Sequence, residues 1–583
     1  MERFARVAAQ ALNQVLPAPI QTTDLETPPD PKMGDFGYPC FRLAKEFRKS
    51  PPQVAAQLVA ELTATQALPS TIQATAVGPY VNFTVAPGEI LQTLLVDILA
   101  GPNLGAYGKL PEASRGNWVL EYSSPNVAKP LNIYHLRPTA LGAALDRIGR
   151  FRGYKVTSIN HLGDWGKQYG MLSVGFKHFG IPLERDMSMK ELVELYVKIN
   201  AEAKKDKTLG DRARDAFLKL EQGDPEITAL WHKCVVVSLK EFDRVYKRIG
   251  VHFDHIWGES YYKDQLAPLL SQLKREKLLI ESEGAWIVPV TDKDGKELPP
   301  CIMQKSDGAT IYATRDVAAA IYRHGKFAFE RMTYIVGSEQ RLHFQQIFGV
   351  LRKMGFDWVS RCEHVPTGLY RFKDAKMSTR DGNYVTLEEV LNLAKTRVTE
   401  LMEERTKNTS EGATPSTQPT EQITEAVAIG AVIFHDLSTD PARDVEFDIE
   451  RIVDFEGETG PYLQYAHTRC QSILRKAHEI GGFSTEFDAE LVAKLGAPEE
   501  IALVKTLGMF PLHLDRTLQH AKVSQLARYL IDLTKAFGSF YRECRVLGDD
   551  PELSRARVML VEATRRILAQ GMGLMLIPLP ERM

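Results

Sequence analysis

The sequence predicts an α/β chain in three parts: a doubly wound parallel sheet in the middle, a smaller α/β domain before it and an all-α domain after it. Three observations carry this reading. From Asn117 onward, strand-like "NWVLEY", a helical stretch with Leu141, Leu145 and Ile148 on one face, and strand-like "KVTSIN" follow one another, as parallel strands with crossover helices do. Before them lies a short mixed region that ends in the Gly/Pro-rich "GPNLGAYGKLPEASRGN". Beyond about Thr424 the apolar spacing is helical almost throughout. The chain of 583 residues is long enough for three or four domains, with expected borders at 1–115, 116–424 and 425–583.

The elements follow in order. "MERFARVAAQALNQVL" puts Phe4, Val7, Ala8, Ala11, Leu12 and Val15 on one helical face, and "PPQVAAQLVAELTATQAL" and "YVNFTV" read as a helix and a strand. After "KVTSIN" comes a charged helical insertion, roughly Ile181 to Tyr246; the sheet pattern then resumes with "MTYIVG" and a helix near Leu342 to Met354. "EERTKNTSEGATPSTQPTEQ" is polar and aperiodic, which predicts a loop or linker. In "LARYLIDLTKAFGSFYREC", Leu526, Leu530, Leu533, Phe537 and Phe540 form the expected buried stripe. Arg528, Lys535 and Arg542 recur every seven residues along another.

Composition excludes several classes. With 44% hydrophobic and 25% charged residues and a net charge of −2, the chain has ordinary globular composition and no global positive field, although local basic faces on an RNA-binding enzyme stay open. The six cysteines stand singly, without a CxxC pair, so neither a zinc ribbon nor a disulfide framework is expected. No apolar run is long enough to span a bilayer, and the N-terminal helix lacks a signal sequence's uninterrupted apolar core. A cytoplasmic protein is expected, with a mitochondrial presequence as the alternative.

Two stretches carry chemistry. "SSPNVAKPLNIYHLRPTALG", Ser123 to Gly142, joins a strand to a helix, so free backbone N–H groups and the positive end of the helix dipole suit a polyphosphate; His135 and Lys129 would add charge. Simple helix capping is the alternative. "KMSTRDGNYV" places Lys376 and Arg380 around small hydroxylated residues before a glycine. That is what a loop needs to close over a triphosphate, a solvated basic loop being the alternative.

Together these stretches resemble the HIGH and KMSK signatures of class I aminoacyl-tRNA synthetases, and the chain is most similar to the arginyl-tRNA synthetase family. The resemblance runs through "GDFGYPCFRLAKEF", "VGPYVNFTV", "EYSSPNVAKP", "INHLGDWGKQYG", "KLEQGDPEITALW", "KSDGATIYATRDVAAAIYR", "VGSEQRLHFQQIF", "IGAVIFHDL", "FEGETGPYLQYAHTR" and the closing "PERM". It implies a Rossmann-like catalytic domain, an N-terminal additional domain meeting the tRNA elbow and a helical anticodon-binding domain. It implies an arginine–tRNA ligase whose partners are L-arginine, ATP and the tRNA for arginine. ATP with Mg2+ enters as substrate, with no prosthetic group or structural zinc, and a monomer is implied.

The resemblance also implies the sites. Arginine would be held by Glu121, Asn126, Tyr312, Asp316 and Gln340; Tyr312 and Asp316 are four apart, on one face if that segment is helical. Two carboxylates around a guanidinium exploit its planar fork, which lysine lacks. A buried salt bridge is the alternative for Glu121, and a structural role for His343. ATP would lie on Lys129, Tyr134, His135, His343, Lys376, Met377 and Ser378, with Lys129, Asn132, His135 and Lys376 catalytic; Thr379 stands at the second lysine of KMSK. Tyr462, Tyr465, Arg528, Lys535 and Arg542 would meet tRNA, with core packing or a solvated face as alternatives.

One departure raises a second reading. The family's His-x-Gly-His stands here as Asn132-Ile133-Tyr134-His135. Loss of one transition-state donor at Asn132 would cost about 10²–10³ in rate. A phenol where the family's glycine lets adenine touch backbone would cost ~1–3 kcal/mol if the site relaxes, and would exclude ATP otherwise. The alternative function is therefore a catalytically impaired or repurposed paralogue that binds arginine or tRNA.

Overall fold

The computed structural model describes residues 1–28, 30–101, 106–306, 308–372, 385–408, 420–481 and 483–583. They form two compact units: Met1–Leu110 with Glu421–Val427 and Asp454–Met583, and Pro111–Thr420 with Ala428–Val453.

The second unit carries the sheet. Its strands are β1 (Asn117–Glu121), β2 (Lys155–Asn160), β3 (His255–Ile256), β4 (Arg331–Gly337) and β5 (Cys362–Thr367), in the order β5-β4-β1-β2-β3. All neighbours pair in parallel, with Glu121 opposite Tyr334 on one side and Ile159 on the other. Chain order runs outward from β1 to β2 and β3, then returns to β4 on its other side. The topological switch point therefore falls between the carboxyl ends of β1 and β4, where doubly wound sheets place their ligands.

Helix α1 (Ile133–Phe151) crosses over from β1 to β2. It lies unusually close to β1: a Cβ on Gly142 would sit 2.1 Å from the Tyr122 ring, and one on Gly149 would sit 2.8 Å from Trp118. Leu141, Leu145 and Ile148 are buried as expected. Helices α2 (Tyr312–Phe327) and α3 (Arg341–Lys353) flank β4 in sequence, and the insertion forms three helices, Met189–Lys205, Lys207–Glu221 and Pro225–Arg248.

Two features differ from the sequence reading. An antiparallel sheet, Ile280–Ser282, Ala285–Thr291 and Glu297–Gln304, lies where no strands were expected. It packs its Val290 against Gly349 of α3. The polar run expected as a loop begins inside a helix, Leu387–Asn408, and ends in another, Glu421–Leu437. Its leading Glu403, Glu404 and Arg405 are straight-chain residues of good helix propensity, so the helix continues through them despite their polarity.

In the first unit, Tyr80–Val85 is the middle strand of a three-stranded antiparallel sheet between Phe36–Pro39 and Ile72–Val77. Pro51–Ala64 is the expected helix, with proline in its first turn and the Ser50 N–H donating to Gln53 Oε1 at 3.0 Å. The C-terminal part is all helix, including Gly460–Gly481, Ser524–Glu543 and Pro551–Leu574. Leu526, Leu530, Leu533, Phe537 and Phe540 are fully buried. Among the described residues, no helix is long and apolar enough to cross a membrane.

Candidate active site

At the switch point, the turn after β1 is held under backbone strain. Ser123, Ser124 and Ala128 have φ of 73°, 47° and 62°, a left-handed region that non-glycine residues enter at a cost. Side chains from elsewhere in the unit hold it there. Ser123 Oγ lies 2.7 Å from both Tyr246 Oη and Thr139 Oγ1. The Ser124 N–H donates to Asn160 Oδ1 at 3.2 Å, and the Ala128 N–H to Ser238 Oγ at 2.9 Å.

The turn delivers the chain to α1 through a capping exchange. The Tyr134 N–H donates to Asn132 Oδ1, and the Asn132 N–H donates to His135 Nδ1, both at 3.1 Å. Because His135 Nδ1 accepts, the neutral ring carries its proton on Nε2. Burial pushes its pKa down to about 4, outweighing the bond to Asn132, and the nearby Lys129 charge adds to that lowering. His135 is thus a fixed neutral donor.

Tyr134 turns its ring edge-on to Tyr370, with centroids 6.5 Å apart, and forms part of the cleft wall. Tyr370 in turn donates its hydroxyl to Asp436 Oδ1 at 2.6 Å, beside the buried Arg137. The start of the Leu387–Asn408 helix pairs with the same turn: the Ile133 N–H donates to the Val385 carbonyl at 3.1 Å, and the Leu387 N–H to the Leu131 carbonyl at 2.9 Å. Lys376, Met377 and Ser378 lie outside the described residues.

A cleft of about 630 Å³ opens here, with Glu121, Asn126, Tyr134, His135, Tyr312, Asp316, Gln340 and His343 all on its lining. That volume suits a small-molecule site. Of the sequence-predicted residues, Asn132 caps the helix beside the cleft, and Lys129 is exposed near His135 without lining it. Tyr312, 64% exposed, and Asp316 stand on one face of α2 at its N-terminal end, as the four-residue spacing predicts.

The acidic groups are not equivalent. Glu121, 5% exposed, forms an ion pair with Arg323, itself 1% exposed, whose Nε donates to Tyr262 Oη at 3.0 Å. The salt bridge considered as its alternative role is therefore present, although the carboxylate still lines the cleft. Glu259 pairs with Arg315 at 2.7 Å, and burial raises its pKa to about 7 against the pull of that arginine. Asp316 faces two imidazoles instead: His343 Nε2 at 2.6 Å on one oxygen and His161 Nε2 at 3.5 Å on the other. Burial alone would raise the Asp316 pKa, but hydrogen bonds from His161 and His343 hold it well below the ordinary carboxylate range.

His161, Glu259 and Arg323 were not singled out from the sequence. His161 sits in "INHLGDWG" and Arg323 closes "ATRDVAAAIYR", so both lay inside stretches already marked for resemblance.

In the other unit, Tyr465 is 39% exposed, with the Arg469 guanidinium 5.2 Å from its ring centroid and 4.9 Å from that of the exposed Tyr541. Tyr462 is half-buried. Arg528 and Lys535 both pair with Glu458, and Arg542 pairs with Glu543 at 3.3 Å, all five residues being exposed.

Comparison with known proteins gives a consistent result. Three family profiles match: tRNA synthetases class I (R), catalytic domain, over residues 103–449; the DALR anticodon binding domain over 463–583; and the arginyl tRNA synthetase N terminal domain over 2–85. An arginine–tRNA ligase of Exiguobacterium sibiricum is 40% identical over 588 residues, covering 100% of this chain and 99% of the relative. One from Alkaliphilus metalliredigens is 39% identical over 560 residues, covering 96% and 95%. Among solved structures, the Thermus thermophilus arginyl-tRNA synthetase shares the fold at a TM-score of 0.82 and 24% identity, covering 100% of both chains.

Proposed function

The chain belongs to the arginyl-tRNA synthetase family, and from that premise we propose how its cleft carries out arginine–tRNA ligation. In that reaction an arginine carboxylate oxygen attacks the α-phosphorus of ATP and pyrophosphate leaves. A ribose hydroxyl at the tRNA 3′ end then attacks the arginyl carbonyl, and AMP leaves.

The substrate guanidinium lies on Asp316 and beside Tyr312, with Glu121 behind it and Asn126 and Gln340 toward the polar backbone end of the amino acid. The observation that carries this reading is Asp316: a cleft-lining carboxylate at the switch point, held ionised and, among the described residues, partnered by imidazoles. ATP lies across the start of α1, whose dipole and the Nε2–H of His135 face the phosphates. Lys129 and the Lys376 loop add charge as pyrophosphate departs, and Mg2+ arrives on the triphosphate as part of that substrate. The protein contributes position and electrostatics. Residues 1–110 meet the tRNA elbow and 463–583 the anticodon, where Tyr465 offers a stacking face; the expected border at 425 lies too early, since Ala428–Val453 belongs to the unit that carries the sheet.

The test is tRNA-dependent ATP–pyrophosphate exchange with Asp316→Asn. Loss of the charge is expected to raise the KM for arginine about 10²-fold or more, with the KM for ATP changed far less. An unchanged arginine KM would remove Asp316 from the guanidinium site.

A further inference from the structure

The β3 edge of the sheet carries an ordered group of rings. His255 in β3 and Trp257 just beyond it stand two residues apart, so the pleat turns both to one face of the strand. Trp257 is nearly parallel to His255, with centroids 4.1 Å apart and planes at 14°, and to Tyr261, at 4.6 Å and 5°. Tyr322 of α2 meets Tyr261 edge-on at 5.6 Å, and the two hydroxyls lie 2.8 Å apart. Core packing explains part of this group, since Phe327 lies 5.8 Å from both His255 and Trp257. It does not explain Tyr261, which is 40% exposed at the end of the row. Single exposed apolar side chains are ordinary, whereas a contiguous ordered group marks a contact surface.

The rings are continuous with the cleft. Glu259, on the cleft lining, lies between Trp257 and Tyr261 in sequence, and the Trp257 N–H donates to the Asn160 carbonyl at the end of β2 at 3.1 Å. On α2, the spacing of Tyr312, Arg315, Tyr322 and Lys326 puts all four on one face. That face runs from Tyr312 on the cleft wall to the exposed Lys326, whose Nζ lies 5.4 Å from the Trp257 ring centroid and 5.8 Å from that of Tyr322. Between them Arg315 and Glu259 neutralise each other.

We propose that Trp257, Tyr261 and Tyr322 form a stacking platform for the unpaired nucleotides that precede the terminal ribose of the tRNA, and that this platform steers the ribose into the cleft. The proposal rests on the reading above, in which the tRNA 3′ end reacts at this cleft. Ring faces beside a positive charge suit a single strand of RNA: every base has a π face, and the phosphates are drawn to a cation. A duplex keeps its base faces covered, so the unpaired end of the tRNA is the part that fits. The open face of Tyr261 takes a base, the paired hydroxyls fix that ring against Tyr322, and Lys326 serves the sugar–phosphate backbone. Stacking reads no sequence, so the platform positions the acceptor end and leaves the choice of tRNA to contacts elsewhere. Tyr261 is thereby a positioning residue for the transfer step.

The experiment measures equilibrium binding of the full chain to a transcript of the tRNA for arginine, and to the same transcript without its unpaired 3′ nucleotides, at one fixed salt concentration. Tyr261→Ala should weaken binding of the intact transcript by about 5- to 150-fold and leave that of the shortened one unchanged. Tyr261→Phe keeps the ring face and should bind intact transcript within about threefold of wild type. A fluorescent purine analogue that dims on stacking, placed next to the terminal nucleotide, should dim on binding the wild type and Tyr261→Phe but not Tyr261→Ala. Binding indifferent to Tyr261→Ala, an equal loss on the shortened transcript, or a loss in Tyr261→Phe as large as in Tyr261→Ala would each overturn the platform. So would an analogue that stays bright on the wild type, a result that needs no variant to fold. Wild-type binding of the intact transcript without arginylation would overturn the ligase reading and not the platform; no binding of either transcript would overturn both.

Discussion

Replacing Arg323 with methionine separates two roles of Glu121. The pair is almost wholly buried, at 1% and 6% side-chain exposure, so the substitution leaves a carboxylate in the sheet without its cation. Stranding one member of a buried pair costs about 3–5 kcal/mol, because the remaining charge has lost its partner without regaining water. At roughly 2 °C per kcal/mol for a unit of this size, the thermal midpoint should fall by about 6–10 °C. Adding Glu121→Gln removes the stranded charge, and the midpoint of the double variant should recover most of that loss. Arginine KM provides the second axis. If Glu121 also serves the substrate, the double variant regains stability while its arginine KM stays at least tenfold above wild type, an increment of about 1.4 kcal/mol. A stable double variant with wild-type arginine KM would refute the substrate role and leave Glu121 as the sheet's salt bridge alone.

Two further outcomes are expected. In ATP–pyrophosphate exchange, Asn132→His should raise kcat by about 10²-fold, whereas Tyr134→Gly should change the KM for ATP by no more than about tenfold, since the ring is already turned against Tyr370. A silent wild type revived by the double change would favour the impaired-paralogue reading, and no effect from either change would overturn the donor argument. His467, 2% exposed and without a hydrogen-bond partner on either ring nitrogen among the described residues, has its pKa lowered to about 4 by burial and by Arg565. Above pH 6.5 neither the folded nor the unfolded form is protonated there; as pH falls toward 4 the unfolded chain gains a proton that the folded one refuses. Stability is therefore lost on acidification, by up to about 3 kcal/mol from this group. Thermal midpoints at pH 7.5 and 5 should converge in His467→Phe, and an undiminished gap would exclude the residue.

The sequence made the sheet legible where the signal was local. β1, β2, β4 and the helices around them followed from apolar periodicity, and the order of elements placed the site at strand ends. What escaped had no periodic signal of its own. β3 has only two residues, and its place at the edge is fixed by pairing with β2 rather than by any run of strand formers. The antiparallel sheet turns around Asp292–Lys296 within "TDKDGKE", a turn-rich break between short runs, in the stretch between Tyr246 and "MTYIVG" to which the sequence reading assigned no elements. Single-residue roles were harder still. Tyr312 and Asp316 share a helix, so spacing alone aligns them. The partners that set the site's charge, Arg323 for Glu121 and Arg315 for Glu259, come together only through tertiary packing.

That packing explains how an acidic cleft can remain stable while empty. Several unpaired carboxylates in one half-buried space would repel one another and shift toward protonation, leaving nothing to attract a cation. Here two carboxylates are committed to internal guanidiniums, which fixes their positions without leaving net charge to stabilise. Asp316 is kept ionised by histidines, whose charge is conditional on a proton. Of Glu121, Glu259 and Asp316, Asp316 is the carboxylate without an internal guanidinium among the described residues, and it is the one on which the proposed reading docks the substrate. On that reading, discrimination against lysine rests on geometry at that point, because a compact ammonium lacks the planar fork of donors that meets a carboxylate with two parallel bonds.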